Sequence, residues 1–281
     1  MKILVVGPAW VGDMVMAQSL YMRLQAAHPE AVIDVLAPAW SLPLVARMPQ
    51  VRRGIALPLT HGEFGWSARR TLGKQLRAEQ YTRAIVLPRS WKAALVPWFA
   101  GISVRTGVLG EQRWGLINDR IQLDKKALPR FVERCIALAF EGKTNDDVPH
   151  PAMQADADNQ QHLIHKFALN VARPVALLPG AEYGPAKRWP IEYYAALAQQ
   201  LSAQGRAVWV LGSAKETNLG EAITAQAPLA QNLIGKTSLT DALDLLALTQ
   251  HAVGNDSGLM HLAAAAGTQV VALYGATPPA Y

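Results

Sequence analysis

Ile3-Leu4-Val5-Val6-Gly7-Pro8-Ala9-Trp10-Val11-Gly12-Asp13 opens the chain as a strand, a Gly-containing turn and the start of a helix. Four consecutive apolar residues read as a buried strand, Gly7 to Gly12 as the turn, and Met14 to Ala27 as a helix by their periodicity. Outward from this stretch come a second strand at Ala31 to Leu36, a helix around Arg69 to Glu79 and the strand Ala84-Ile85-Val86-Leu87. Strands alternating with helices are the grammar of a parallel, doubly wound sheet. Residues 141–160 break it: Gly142, Asn145, Asp146, Asp147, Pro149 and Pro151 form a polar run that reads as a linker. The grammar then restarts with strand Val175 to Leu178, loop Pro179 to Pro190, helix Ile191 to Gln204 and strand Ala207 to Leu211. A Gly212 turn, helices near Glu216 to Ala225 and Leu239 to Thr249, the strand-like Ala252-Val253 and strand Val270 to Tyr274 complete it. Two α/β domains are expected, residues 1–160 and 161–281. The chain stops at Gly275 to Tyr281, just after a strand, where such a domain adds a closing helix; a truncated C-terminal end is therefore expected.

With 281 residues, 51% of them hydrophobic, the chain can bury two ordinary cores. No apolar run approaches the ~18 residues of a membrane span, and the N-terminus begins directly with a strand instead of a cleavable leader. The single cysteine, Cys135, sits among Ile136, Ala137 and Leu138 and reads as a buried thiol. A soluble cytoplasmic protein is expected. The net charge of +6 lies wholly in the first half: residues 1–165 hold 20 Lys+Arg against 14 Asp+Glu, residues 166–281 hold 7 against 7, and residues 1–113 alone hold 14 against 6. An anionic partner of the first domain fits this asymmetry, whether nucleic acid, acidic lipid or phosphorylated sugar; ordinary solvated surface charge accounts for part of it.

Three loops carry the chemistry. Gly7 to Asp13 joins a strand to a helix start, where backbone N–H groups and the helix dipole favour negative charge. Asp13 there is either a helix cap or a functional carboxylate. The loop is not G-x-G-x-x-G, and Asp34 lies inside its strand instead of closing it, so dinucleotide binding is weakly supported. In Pro179-Gly180-Ala181-Glu182-Tyr183-Gly184-Pro185-Ala186-Lys187-Arg188-Trp189-Pro190, two glycines and two adjacent cations suit a diphosphate. Lys187 offers a mobile ammonium and Arg188 a planar fork to charge growing on a leaving group. Gly254-Asn255-Asp256-Ser257-Gly258-Leu259-Met260-His261 follows a short strand and opens the helix Leu262 to Ala266. Asp256 or Ser257 as a plain cap and His261 as a satisfied helix residue are the bland alternatives.

The turn Gly12-Asp13, the run Gly184 to Pro190 containing Lys187-Arg188-Trp189-Pro190, and Asn255-Asp256-Ser257-Gly258-Leu259-Met260-His261 together resemble the ADP-heptose:lipopolysaccharide heptosyltransferases, glycosyltransferase family 9. Further matching stretches are Asp34 to Trp40, Ala94 to Ile102, and Gly107 through Asn118-Asp119, so the resemblance covers essentially the whole chain. It implies a GT-B fold: two Rossmann-like doubly wound domains facing a cleft, with acceptor on the first and ADP-sugar on the second. It also implies Asp13 as the catalytic base and Lys187 as the diphosphate-binding lysine, with Arg188 beside it. Glu216 would meet the ribose of ADP and Thr237 the adenine, while Asp256, Ser257, Gly258 and His261 hold sugar and phosphates. An acceptor built on lipid A and Kdo is rich in phosphate and carboxylate, which makes Gly12, Arg89, Lys92, Arg105 and Arg113 candidate acceptor contacts.

The implied reaction is inverting transfer of L-glycero-D-manno-heptose from ADP-L-glycero-D-manno-heptose to Kdo2-lipid A already carrying one heptose. A sister member acting on the heptose-free acceptor, or another nucleotide-sugar GT-B transferase, is the nearest alternative. No cofactor and no metal are required. Asp156-Ala157-Asp158 is formally D-x-D but lies in the polar linker, and the seven histidines show no zinc-like spacing. An NAD-dependent oxidoreductase lacks its fingerprint in the first loop. A non-catalytic binder of acidic lipid or nucleic acid leaves the Lys187 and Asp256 loops unexplained. Nucleic acid is not expected as a partner, and peripheral contact with the inner membrane surface is compatible with a lipid-anchored acceptor. The family's C-terminal segment, which crosses back towards the first domain, has no counterpart here.

Overall fold

The architecture follows from strands that are apolar along their whole length. In a computed structural model, which describes residues 1–60, 62–144, 148–182 and 185–275, β1 (Lys2–Val6) is buried from Ile3 onwards. It lies between β2 (Val32–Pro38) and β4 (Arg83–Val86), both parallel to it. Such two-sided burial requires helices on both faces, which explains the lack of alternation in the sequence. His61, Asn145 to Asp147, Tyr183, Gly184 and residues 276–281 lie outside the described residues.

Among the described residues the chain divides into two units, Met1–Pro151 and Ala152–Tyr281. The sheet of the first has the order β3-β2-β1-β4-β5-β6, where β3 is Val51–Leu57, β5 Val104–Gly107 and β6 Asp119–Arg120. That of the second has the order β11-β10-β7-β8-β9, where β7 is Val175–Leu178, β8 Val208–Val210, β9 Gln231–Asn232, β10 His251–Asn255 and β11 Gln269–Leu273. Every pairing is parallel. Both are doubly wound sheets, and each reverses strand order once, between β1 and β4 and between β7 and β10. The crevice beyond the carboxyl ends of strands at such a reversal is where this architecture binds ligands.

The boundary differs from the expected 160. Residues 157–167 form a helix, α6 (Ala157–Phe167), that packs on α9 (Leu239–Leu246) of the second unit. Asp156 is its N-cap and accepts from the amides of Asp158 (3.1 Å) and Asn159 (3.2 Å). The formal D-x-D is thus a capping turn. Asp34, the acidic residue inside β2, is fully buried and bonded to Arg52 (2.8 Å to Nε), Arg53 and Tyr81. Burial pushes its carboxyl up, but the bonds from Arg52 and Tyr81 and the two guanidinium charges outweigh this and hold it below the usual range. It is a structural ion pair.

Candidate functional site

In the first unit, α1 (Val11–Ala27) starts at the carboxyl end of β1, beside the switch point. Its N-cap is Trp10, whose side chain makes no cap bond, so Asp13 lies inside the first turn and is not the cap. The helix begins earlier than the periodicity from Met14 suggested because Val11 and Gly12 already sit in its first turn. Asp13 is half-buried, and desolvation raises its carboxyl above the ordinary range despite the opposing charge of Arg134. A half-buried carboxylate of raised basicity at a ligand-binding edge is chemically suited to accept a proton.

Around this edge lies a cavity of about 560 Å³, lined among others by Gly7, Trp40, Leu59, Arg69 and Lys92. Lys92 donates its Nζ to Gly62 O at 3.3 Å, and Arg89 is exposed in the loop after β4. Gly12 is half-buried next to Asp13. Arg113 departs from the expected acceptor contact: it is 1% exposed, and its guanidinium is committed to the carbonyls of Val108 (Nε, 3.0 Å), Pro88 (2.7 Å) and Ser90 (3.3 Å). Burial, and then the charge of Arg89, push it down to about 10, still protonated at neutral pH. Arg105 is likewise spent on the carbonyls of Leu116, Ile102 and Gly115. These two cations build the loops instead of facing a ligand. Sequence alone cannot tell a buried arginine that satisfies carbonyls from one on display.

In the second unit the two motif loops meet at the switch point between β7 and β10. Lys187, in a short 3-10 turn (Pro185–Lys187), donates to Asp256 at 2.8 Å, and both side chains are about a quarter exposed (24% and 23%). Arg188 is exposed apart from a long bond to Ala181 O at 3.4 Å. Asn255 joins the loops: fully buried, it accepts from Trp189 N (2.9 Å) and donates to Pro179 O (2.8 Å) and Gly180 O (3.4 Å). The sequence shows Asn255 only as one residue of the Gly254 to His261 motif and gives it no role of its own. The only signal was an amide side chain placed directly before Asp256.

Ser257 is the N-cap of α10 (Gly258–Ala265), with no side-chain cap bond, so its hydroxyl is not spent on the helix. Gly258 is the first helical residue, and His261 lies one turn on. Burial lowers the His261 pKa, against the charge of Asp256, which keeps the ring neutral at pH 7. Glu216 ends the 3-10 turn Ala214–Glu216, with its carboxylate on Ser213 N (2.7 Å) and Oγ (2.9 Å). A Cβ at Gly180 would overlap that carboxylate, so the first glycine after β7 is what admits Glu216 to the strand ends. Thr237 is half-buried immediately before Ser238, the N-cap of α9. No group of three or more His, Cys, Asp or Glu among the described residues is placed to hold a metal.

The profile described as Glycosyltransferase family 9 (heptosyltransferase) matches residues 69–281. The chain belongs to glycosyltransferase family 9. Lipopolysaccharide heptosyltransferase 2 of Escherichia coli K12 is 50% identical over 99% of this family 9 chain and 84% of that relative. Lipooligosaccharide heptosyltransferase 2 of Haemophilus influenzae is 48% identical over 100% of this chain and 85% of its own. The solved E. coli ADP-heptose lps heptosyltransferase II superposes with a TM-score of 0.92 at 46% identity, covering 100% of this chain and 87% of that one. The family 9 chain is thus a glycosyltransferase of GT-B type with two parallel-sheet α/β domains. No helix among the described residues is long and apolar enough to cross a membrane.

Proposed function

We propose that the chain is a lipopolysaccharide heptosyltransferase II, which moves L-glycero-D-manno-heptose from ADP-L-glycero-D-manno-heptose to the single heptose on Kdo2-lipid A. The observation that carries this is the meeting of Lys187 and Asp256 at the switch point of the second unit, in a family 9 chain half identical to heptosyltransferase 2. A partly exposed ion pair of this kind is worth no more than about 1 kcal/mol, so a diphosphate can take the ammonium from Asp256. Lys187 and Arg188, with the amides at the start of α10, then offset the charge on departing ADP. Asp256, Ser257, Gly258 and neutral His261 hold the heptose and phosphates, Glu216 the ribose and Thr237 the adenine.

Asp13 takes the proton from an acceptor heptose hydroxyl as its oxygen attacks the anomeric carbon. The C–O bond to diphosphate breaks on the opposite face, and configuration inverts. A positioned base of this kind contributes roughly 10²–10⁴ in rate. Gly12, Arg89 and Lys92 border the acceptor, with Arg113 supporting the loop that carries Arg89 through the carbonyls of Pro88 and Ser90. The reaction takes place in the cytoplasm, at the surface of the inner membrane that carries the acceptor. Incubation with ADP-heptose and inner-core acceptors bearing zero, one or two heptoses tests the reading. Transfer only to the one-heptose acceptor is expected, and transfer to the heptose-free acceptor would overturn it.

A further inference from the structure

Large aromatic side chains exposed singly are ordinary, but a contiguous cluster marks an interaction site. The first unit carries one. Phe64, Trp66, Trp91 and Trp98 are 42%, 46%, 39% and 43% exposed. They form a continuous chain through ring contacts: Phe64 with Trp91 at 4.9 Å and with Trp66 at 5.9 Å, Trp66 with buried Phe99 at 5.1 Å, and Phe99 with Trp98 at 4.9 Å. Phe99 is the floor, and the four exposed rings stand on it or beside it.

Cations border this face in a regular way. Trp66 opens the helix α3 (Trp66–Leu76), and Arg70, Lys74 and Arg77 follow it at i+4, i+8 and i+11, which places all four along one side of the helical path. Arg70, Lys74 and Arg77 are exposed, and Arg77 is held at the aromatic floor by its Nε bond to Phe99 O at 2.9 Å. Residues 64–110 contain eight Lys and Arg but one acidic residue, Glu79, and Glu79 is occupied by Lys2, Arg52 (3.2 Å) and Arg53 (2.8 Å). The two carboxylates at the rim, Glu63 and Glu111, accept the backbone amides of Thr60 (2.8 Å) and Trp91 (3.0 Å).

We propose that the Phe64–Trp66–Trp91–Trp98 face, with the Arg70, Lys74 and Arg77 stripe, docks the first unit onto an anionic lipid bilayer. Tryptophan rings are favoured at the headgroup level, and Lys and Arg beside them reach anionic headgroups while their stems lie on apolar surface. Protein interfaces also use Trp and Arg, but a protein partner presents mixed charge. A face with cations along it and its neighbouring carboxylates already engaged matches a continuous negative sheet instead. The face adjoins the 560 Å³ cavity: Glu63 and Lys92 line that cavity and are the chain neighbours of Phe64 and Trp91. Docking here brings the cavity mouth to the membrane surface, where a lipid-anchored acceptor would present its sugars.

The proposal takes from the preceding reading only that the acceptor is membrane-anchored, and its test uses no acceptor, so the two fail separately. The full chain is sedimented with vesicles of phosphatidylcholine alone or in equimolar mixture with phosphatidylglycerol. Binding to the mixed vesicles only, weakened by added salt, is expected. Loss of each cation lowers the association constant about fivefold, so Arg70→Glu with Lys74→Glu reduces it on the order of 25-fold or more. Trp66→Ala with Trp98→Ala also releases the protein, and the charge-reversed variant, altered only at exposed positions, keeps the Tm of the parent. Absence of binding to the mixed vesicles, equal binding to both compositions, or unchanged binding by the charge-reversed variant would each overturn the proposal.

Discussion

Removing the Asn255 side chain tests whether one buried amide holds the donor loops in place. In Asn255→Ala, Trp189 N–H loses its acceptor and Pro179 O its donor at a position with no solvent exposure. An unsatisfied buried group costs about 1–3 kcal/mol, so the pair costs roughly 2–4 kcal/mol, allowing some relaxation at half-buried Trp189. For a unit of this size that lowers Tm by roughly 10 °C, read by calorimetry as a shift of the second unit's transition. The loop that carries Lys187 is released at the same time, and ADP affinity is expected to fall about tenfold, or ~1.4 kcal/mol. Asn255→Asp provides the control. It keeps the acceptor for Trp189 N–H but, when ionised, turns a buried negative charge on the Pro179 and Gly180 carbonyls. Its pKa is expected to rise with that burial, so the variant is destabilised at neutral pH and recovers as pH falls and the protonated carboxyl can donate. An Asn255→Ala protein that melts within about 2 °C of the parent and binds ADP equally would refute the reasoning.

Other outcomes follow from the same geometry. Asp13→Asn should lower kcat by roughly 10²–10⁴, and in the parent enzyme kcat/KM should fall on the acid side at a pH above the ordinary aspartate value of 3.8, because burial raises the Asp13 pKa and the protonated form cannot act as a base. An acid limb at or below that value would exclude Asp13 as the titrating group. Arg113→Ala strips donors from Val108, Pro88 and Ser90 and should cost about 3 kcal/mol in denaturant unfolding. Arg89→Ala, at an exposed site, should leave stability unchanged and raise only the acceptor KM. Gly180→Ala should displace the Glu216 carboxylate and weaken ADP binding in titration calorimetry with little change in Tm; unaltered affinity would remove Glu216 from the nucleotide site.

How much of this was legible beforehand differs by element. Buried parallel strands such as Ile3 to Val6 announce themselves, since both faces are apolar and the run is bounded by glycine. Strand β3 does not: Arg52, Arg53 and Gly54 interrupt its apolar residues, because it is an edge strand whose guanidiniums reach Asp34 and Glu79. The helices α5 (Phe131–Ala139) and α6 are not legible in the sequence either. The latter lies where a polar run reads as linker, and what makes it a helix is the Asp156 cap and packing on α9. Arg89 and Arg113 look alike in a charge count, yet one is exposed and the other buried on three carbonyls.

Two doubly wound sheets, and the placing of Asp13, Lys187 and Asp256 after strands at helix starts, are legible in the linear pattern, because apolar runs and glycine turns are local signals. The family was equally legible in those loops. Which of the cations face solvent, that Lys187 reaches Asp256, that Asn255 ties two loops together, and that Trp66 and Trp98 share one face were decided only by tertiary structure. Those relations join residues tens of positions apart, and their free energies depend on burial and distance, neither of which a linear pattern contains.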